Sequence, residues 1–227
     1  MNILLTKKLS PIDLDLIRSW GWNFEVLETL NITPVEVHEI PKADVWVVSS
    51  RNSLGAVLKF INETPGFIYV VGQWMKAELV KGGVISTIRS FENMKDLVAD
   101  LEGQQFKSIL YFCGENHRRE LEEALKESMA KIAKVITHKS KMTFPLVKNN
   151  FDAVFVFSPR AAESLLKNNS FPSQTVFACI GSTTAAYLIT RGITNTFTSS
   201  YPDSRILIEE FHLAMKSRRT SSGPATL

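Results

Sequence analysis

Val45-Trp46-Val47-Val48-Ser49-Ser50-Arg51 is answered 109 residues later by Val154-Phe155-Val156-Phe157-Ser158-Pro159-Arg160. Each is a short run of β-branched and aromatic residues that ends in serine and arginine. That composition reads as a strand feeding a polar turn and then a helix. The recurrence continues at the same offset. Gly72, Ala77, Leu79 and Gly83 return as Gly181, Ala186, Leu188 and Gly192, and Thr87 and Ser90 return as Thr196 and Ser199. Ten identities in one ungapped register over 46 positions mark two copies of one α/β unit.

Outward from these two stretches, apolar runs alternate with amphipathic ones, the pattern of a parallel sheet. Strands are predicted at 2–6, 45–49, 67–72, 108–113, 153–158 and 176–181. Helices are predicted at 11–21, 51–62, 73–81, 94–101, 116–129, 160–167, 182–191 and 203–215, the last starting at Asp203. Ile3-Leu4-Leu5 resembles Ile109-Leu110-Tyr111, so the N-terminus supplies the strand that the second copy lacks. The outer domain is then discontinuous, 1–35 plus 144–216, and the inner one spans 41–136. Residues 34–41 and 136–144 are expected to pair as a two-stranded linker, and 217–227, which has nothing to bury, as a disordered tail.

The net charge of +3 is too mild, and the basic residues too scattered, for a nucleic-acid surface. No window offers the roughly 20 apolar residues of a membrane span, and the first residues do not form a signal segment. A cytoplasmic protein is expected, with its two cysteines, Cys113 and Cys179, as buried thiols.

Parallel sheets bind ligands at the carboxyl ends of their strands, against helix N-termini that favour anions. The candidate ligand residues are therefore Ser49, Ser50, Arg51, Gly72, Gly114, Asn116, Arg119, Ser158, Arg160, Gly181, Ser182, Thr183 and Thr184, with Lys7 after the first strand. Ser49 and Ser158 read equally as helix caps, and Arg51 and Arg160 as solvated first-turn residues. The four histidines, His38, His117, His138 and His212, lack the spacing of a zinc site. Nucleophile elbows and complete phosphate loops are absent from the sequence, so binding and orientation are the expected means of any catalysis.

Four segments resemble the uroporphyrinogen-III synthase family. Phe177-Ala178-Cys179-Ile180-Gly181-Ser182-Thr183-Thr184-Ala185-Ala186 is close to the family's Phe-Ala-x-Ile-Gly-Pro-Thr-Thr-Ala stretch. Phe157-Ser158-Pro159-Arg160-Ala161-Ala162-Glu163 is similar to its Ser-Pro-x-Ala/Gly segment. Gly114-Glu115-Asn116-His117-Arg118-Arg119-Glu120-Leu121 resembles its Gly-Asn-x-x-Arg-Glu-x-Leu turn, and Val70-Val71-Gly72 its Val-Val-Gly. The resemblance implies two similar parallel-sheet, flavodoxin-like domains, the outer one discontinuous, joined by a two-stranded linker and holding substrate in the cleft between them. It implies a cyclising hydro-lyase that needs no cofactor and no metal and acts as a monomer in the cytoplasm. The implied substrate is hydroxymethylbilane, a linear tetrapyrrole with eight carboxylates. The implied reaction expels its hydroxyl as water, inverts ring D through a spiro intermediate and closes uroporphyrinogen III. A non-catalytic tetrapyrrole- or anion-binding module of the same fold is the alternative.

The chain departs from the family pattern at three places. His138 stands where the family has a tyrosine, which makes it the candidate catalytic proton donor. Gly72-Gln73-Trp74-Met75 lacks the hydroxyl of Gly-Asn-x-Thr, and Ser49-Ser50-Arg51 lacks the proline of the inner loop.

Overall fold

The computed structural model describes residues 1–221. The chain divides into two compact units, Met1–Asn31 with Lys141–Leu227 (unit 1) and Ile32–Ser140 (unit 2). In unit 1, β1 (Asn2–Leu5), β2 (Asn23–Val26), β9 (Ala153–Val156), β10 (Val176–Cys179) and β11 (Thr196–Thr198) form a parallel sheet ordered β11-β10-β9-β1-β2. Unit 2 contains β4 (Val45–Val48), β5 (Phe67–Val71), β6 (Thr87–Phe91), β7 (Ser108–Gly114) and β8 (Lys131–Met142). They are ordered β6-β5-β4-β7-β8 and are all parallel. The two orders coincide once β7 is placed on β1. Unit 1 is thus a permuted copy of unit 2, with an interior strand, β1, supplied by residues 2–5.

The central strands are continuous apolar runs because helices cover both of their faces. In unit 2, Trp46, Val48, Ile68 and Val70 pack against Val57 of α2 (Leu54–Lys59) and Met75 and Leu79 of α3 (Gln73–Lys81). The opposite face, Val45, Val47, Tyr69 and Tyr111, packs on Leu97 and Leu101 of α4 (Met94–Glu102) and Leu121 of α5 (Glu120–Ala124). In unit 1, Val154, Val156, Phe177 and Cys179 meet α6 (Pro159–Leu166) and α7 (Ser182–Ile189). Ile3, Leu5, Phe155 and Ala178 meet α1 (Pro11–Ser19) and α8 (Ser204–Ser221).

These faces correct the repeat by one residue. Val45 lies opposite Phe67, and Ala153 opposite Val176, so Val45 matches Ala153 rather than Val154. An odd shift exchanges the faces of a strand, and only the corrected register puts Trp46 and Val154 under equivalent helices. It also matches Ser50, not Ser49, with Ser158. Both cap the turn that follows, Ser50 accepting from the Asn52 amide (3.3 Å) and Ser158 from the Ala161 amide (3.1 Å). The serine–arginine recurrence is therefore not structural at its arginines.

Every predicted strand forms, each ending one or two residues early except β7, which runs one residue further. The short strands β2, β6 and β11 and the long β8 escape the reading by apolar runs. Of the linker strand expected at 34–41, residues 35–41 form no strand. β3 (Leu30–Pro34) begins before residue 34, and it pairs with β8 through Val35 N–H to Thr137 O (2.8 Å) and Thr143 N–H to Thr29 O (3.1 Å). That spacing is antiparallel. The helix expected over 116–129 shrinks to α5, because only Leu121 and Leu125 are buried there and Met129 is exposed. Asp203 starts α8 as expected, its carboxylate accepting from the Arg205 amide at 2.8 Å. The helix continues through Ser221, past the point where a disordered tail was expected, and 222–227 lie outside the described residues.

Candidate functional site

Each unit carries a rim of turns at the carboxyl ends of its parallel strands. On unit 1, Thr6 ends β1 and is fixed by its hydroxyl donating to Phe155 O at 2.8 Å. Beside it Lys7 is exposed, its Nζ 4.3 Å from the centroid of the Phe157 ring after β9. Ser158 caps α6, with Pro159 in the first turn and Arg160 partly buried behind it. Gly181 precedes α7, whose first residues Ser182 and Thr183 are exposed, whereas Thr184 is buried at 2% exposure. The structure thus brings Lys7, Ser158, Arg160, Gly181, Ser182 and Thr183 to one rim and turns Thr184 into the core beneath it. The Ser182 and Thr183 amides that open α7 have no acceptor within their helix and add donors suited to a carboxylate, whereas α6 opens with Pro159, which has no amide hydrogen, and its Ala161 amide donates to Ser158 Oγ.

The rim of unit 2 is tied together more tightly. Ser49 Oγ lies 2.8 Å from the Tyr111 hydroxyl. Ser50 caps the turn Arg51–Ser53, and the Arg51 guanidinium lies 4.8 Å over the Trp74 ring. Gly72 turns the chain out of β5 with φ +92°, a conformation that side chains rarely adopt. At the end of β7 a bulge shifts the register so that Gly114 pairs with His138 of β8. A Cβ on Gly114 would stand 2.6 Å from His138 Nε2, so the ring occupies the space that glycine leaves. Asn116 Nδ2 donates to Ser140 O at 3.3 Å, and Arg119 is exposed before α5.

Below this rim lies a polar network that sequence reasoning missed. Thr137 Oγ1 is 2.8 Å from Ser53 Oγ, donates to Cys113 O at 3.2 Å, and lies 2.9 Å from His138 Nδ1. The three contacts tie the His138 ring to β7 and to the turn after β4. His138 is only 8% exposed, and burial pushes its pKa below the ordinary 6.5. The downward shift favours the neutral ring in the β7–β8 bulge. His117 is pinned on both sides, Nδ1 to Gly114 O at 3.0 Å and Nε2 to Glu122 Oε1 at 2.7 Å, with Lys134 Nζ 3.4 Å from the same oxygen. Burial raises the Glu122 carboxyl, but the His117 bond and Lys134 outweigh it, and the net shift is downward. Burial drives Tyr111, Cys113 and Cys179 up to about 12 each, so all three stay protonated at neutral pH. Neither cysteine offers a thiolate nucleophile. Among the described residues no group of three or more His, Cys, Asp or Glu side chains is placed to hold a metal ion, and no helix is long and apolar enough to cross a membrane.

The family model for uroporphyrinogen-III synthase HemD matches residues 15–209, across both rims. The chain belongs to the uroporphyrinogen-III synthase family. The fold of solved synthases agrees. The Helicobacter pylori uroporphyrinogen-III synthetase superposes with a TM-score of 0.64 at 15% identity, over 94% of this chain and 99% of that one. A mutant Thermus thermophilus uroporphyrinogen III synthase gives 0.62 at 13% identity, over 96% and 99%, and its wild-type form gives 0.51 at 13% over the same shares. No curated protein matches the chain. As a synthase-family member, the chain is placed in porphyrin biosynthesis.

Proposed function

We propose that this chain is an active uroporphyrinogen-III synthase, converting hydroxymethylbilane to uroporphyrinogen III with inversion of ring D and loss of water. The observation that carries the proposal is the family match over 15–209, which spans both sets of rim turns. The substrate closes without inversion when left alone. The enzyme's task is therefore to dictate how a flexible chain bends before its hydroxyl leaves. That task calls for many fixed anchors rather than a strong nucleophile.

The rims are built for it. Lys7, Arg160, Ser182, Thr183 and the opening amides of α7 offer unit 1's share of carboxylate donors. Ser50, Arg51, Asn116 and Arg119 offer unit 2's. His138 holds the bulge that aims the Gly114–Arg119 loop, and Thr184 supports its turn from below. A general acid contributes roughly 10²–10⁴-fold to a rate. His138→Phe is accordingly expected to lower kcat by less than about tenfold, and a fall of a hundredfold or more in a folded variant would restore the acid role. Thr183→Ala and Arg160→Ala should each raise KM several-fold, and unchanged kinetics in both would remove them from the site.

The deciding test mixes the purified chain with fresh hydroxymethylbilane and separates the product isomers by chromatography. Isomer III is expected. Only isomer I, as in the enzyme-free control, would leave the chain as a binding module of the same fold.

A further inference from the structure

Trp74 fills the unrestricted position of the stretch aligned with Gly-Asn-x-Thr, beside Met75, which stands in place of the threonine. It is the second residue of α3, directly after the Gly72 turn at the end of β5. Its neighbour Met75 is 1% exposed and packs in the core with Leu79, while Trp74 is 39% exposed. A single exposed apolar residue is ordinary, but this one does not stand alone. The Arg51 guanidinium, from the turn after the adjacent strand β4, lies 4.8 Å from its ring centroid. Two loops therefore place the largest aromatic side chain and a cation side by side, on the rim where a parallel sheet takes its ligand. Ser50 fixes the turn that carries Arg51, and Gly72, at φ +92°, fixes the turn that carries Trp74.

We infer that Trp74 and Arg51 form a binding platform for one pyrrole ring of a tetrapyrrole and the carboxylate arm it bears. The flat, electron-rich ring lies against the exposed part of the indole. The guanidinium, held over the same indole, takes the carboxylate through its planar donors. The platform selects for a planar aromatic acid over an aliphatic polyacid of equal charge. Trp74 is a specificity-determining residue that touches the substrate without entering the chemistry. The inference rests on the proposed reading of the chain as a tetrapyrrole-handling protein, but not on its turnover.

The test separates the two. The full chain, Trp74→Ala and Trp74→Phe are titrated with uroporphyrin III, the flat oxidised macrocycle bearing the same carboxylates, and followed by porphyrin fluorescence. Thermal melts establish that each variant is folded. Trp74→Ala is expected to weaken binding about tenfold and Trp74→Phe about twofold or less, because phenylalanine keeps a stacking face. Equal affinity of Trp74→Ala and the unaltered chain, or no binding by the unaltered chain, overturns the platform. In turnover of hydroxymethylbilane, Trp74→Ala should raise KM with kcat held within about threefold, the signature of lost uniform binding. An unaltered chain that makes only isomer I yet binds uroporphyrin III through Trp74 would refute the synthase reading and leave the platform standing.

Discussion

Gly114 and His138 show how far one pair of residues governs the unit 2 rim. The Cβ of an alanine at 114 would fall 2.6 Å from His138 Nε2, and the ring is held at its other nitrogen by Thr137. Gly114→Ala should therefore cost about 1–3 kcal/mol by overpacking. His138→Ala should recover much of that loss in the double variant, which a double-mutant cycle by urea unfolding would read as strong coupling. Additive losses would mean that the ring moves aside freely. Histidine also carries a pH dependence. The folded pKa of His138, and that of His212, lies below 6.5, so the unfolded chain binds more protons at mildly acid pH. Their contribution to stability is complete above 6.5 and is lost as pH falls through the depressed folded values. Chemical-denaturation midpoints should decline over that window, and replacing His138 by glutamine should flatten the decline.

At the scale of elements, the caps separate what the sequence revealed from what it concealed. Ser158→Ala removes the bond to the Ala161 amide and should cost about 1 kcal/mol. Ser49→Ala removes no cap, but leaves the buried Tyr111 hydroxyl without its serine partner. Melts of the two variants with Ser50→Ala would check the corrected register. Continuous apolar strands and glycine-marked turns were legible because burial on both faces writes itself into residue type, as in Ala153–Val156. The edges were not. β11 spans three residues of mixed polarity, and β8 is largely polar along its solvent side. The candidate site was legible as turns but not as contacts. Thr184 repeats the chemistry of Thr183, and only the helical turn between them decides which is buried. The His117–Glu122 clasp joins residues five apart across a loop that the sequence presented as continuous helix.

For the whole molecule, the sheet orders matter more than any single contact. Unit 2 takes all its sheet strands, except the first residues of β3 and the last two of β8, from one uninterrupted segment, 32–140. A fragment of those residues should therefore unfold in one cooperative transition with dispersed amide resonances. Failure to do so would show that its core depends on the remainder of the chain. Unit 1 differs, since β1 sits between β2 and β9 and so joins residues that are 150 positions apart in sequence. During synthesis β1, with its apolar Ile3-Leu4-Leu5, lacks its β9 neighbour until Ala153–Val156 is made, 150 positions later. The inserted unit can complete itself during that interval. The pairing of β1 with β9 is thus completed late, and in the cell its apolar run is one that a holding chaperone has reason to cover.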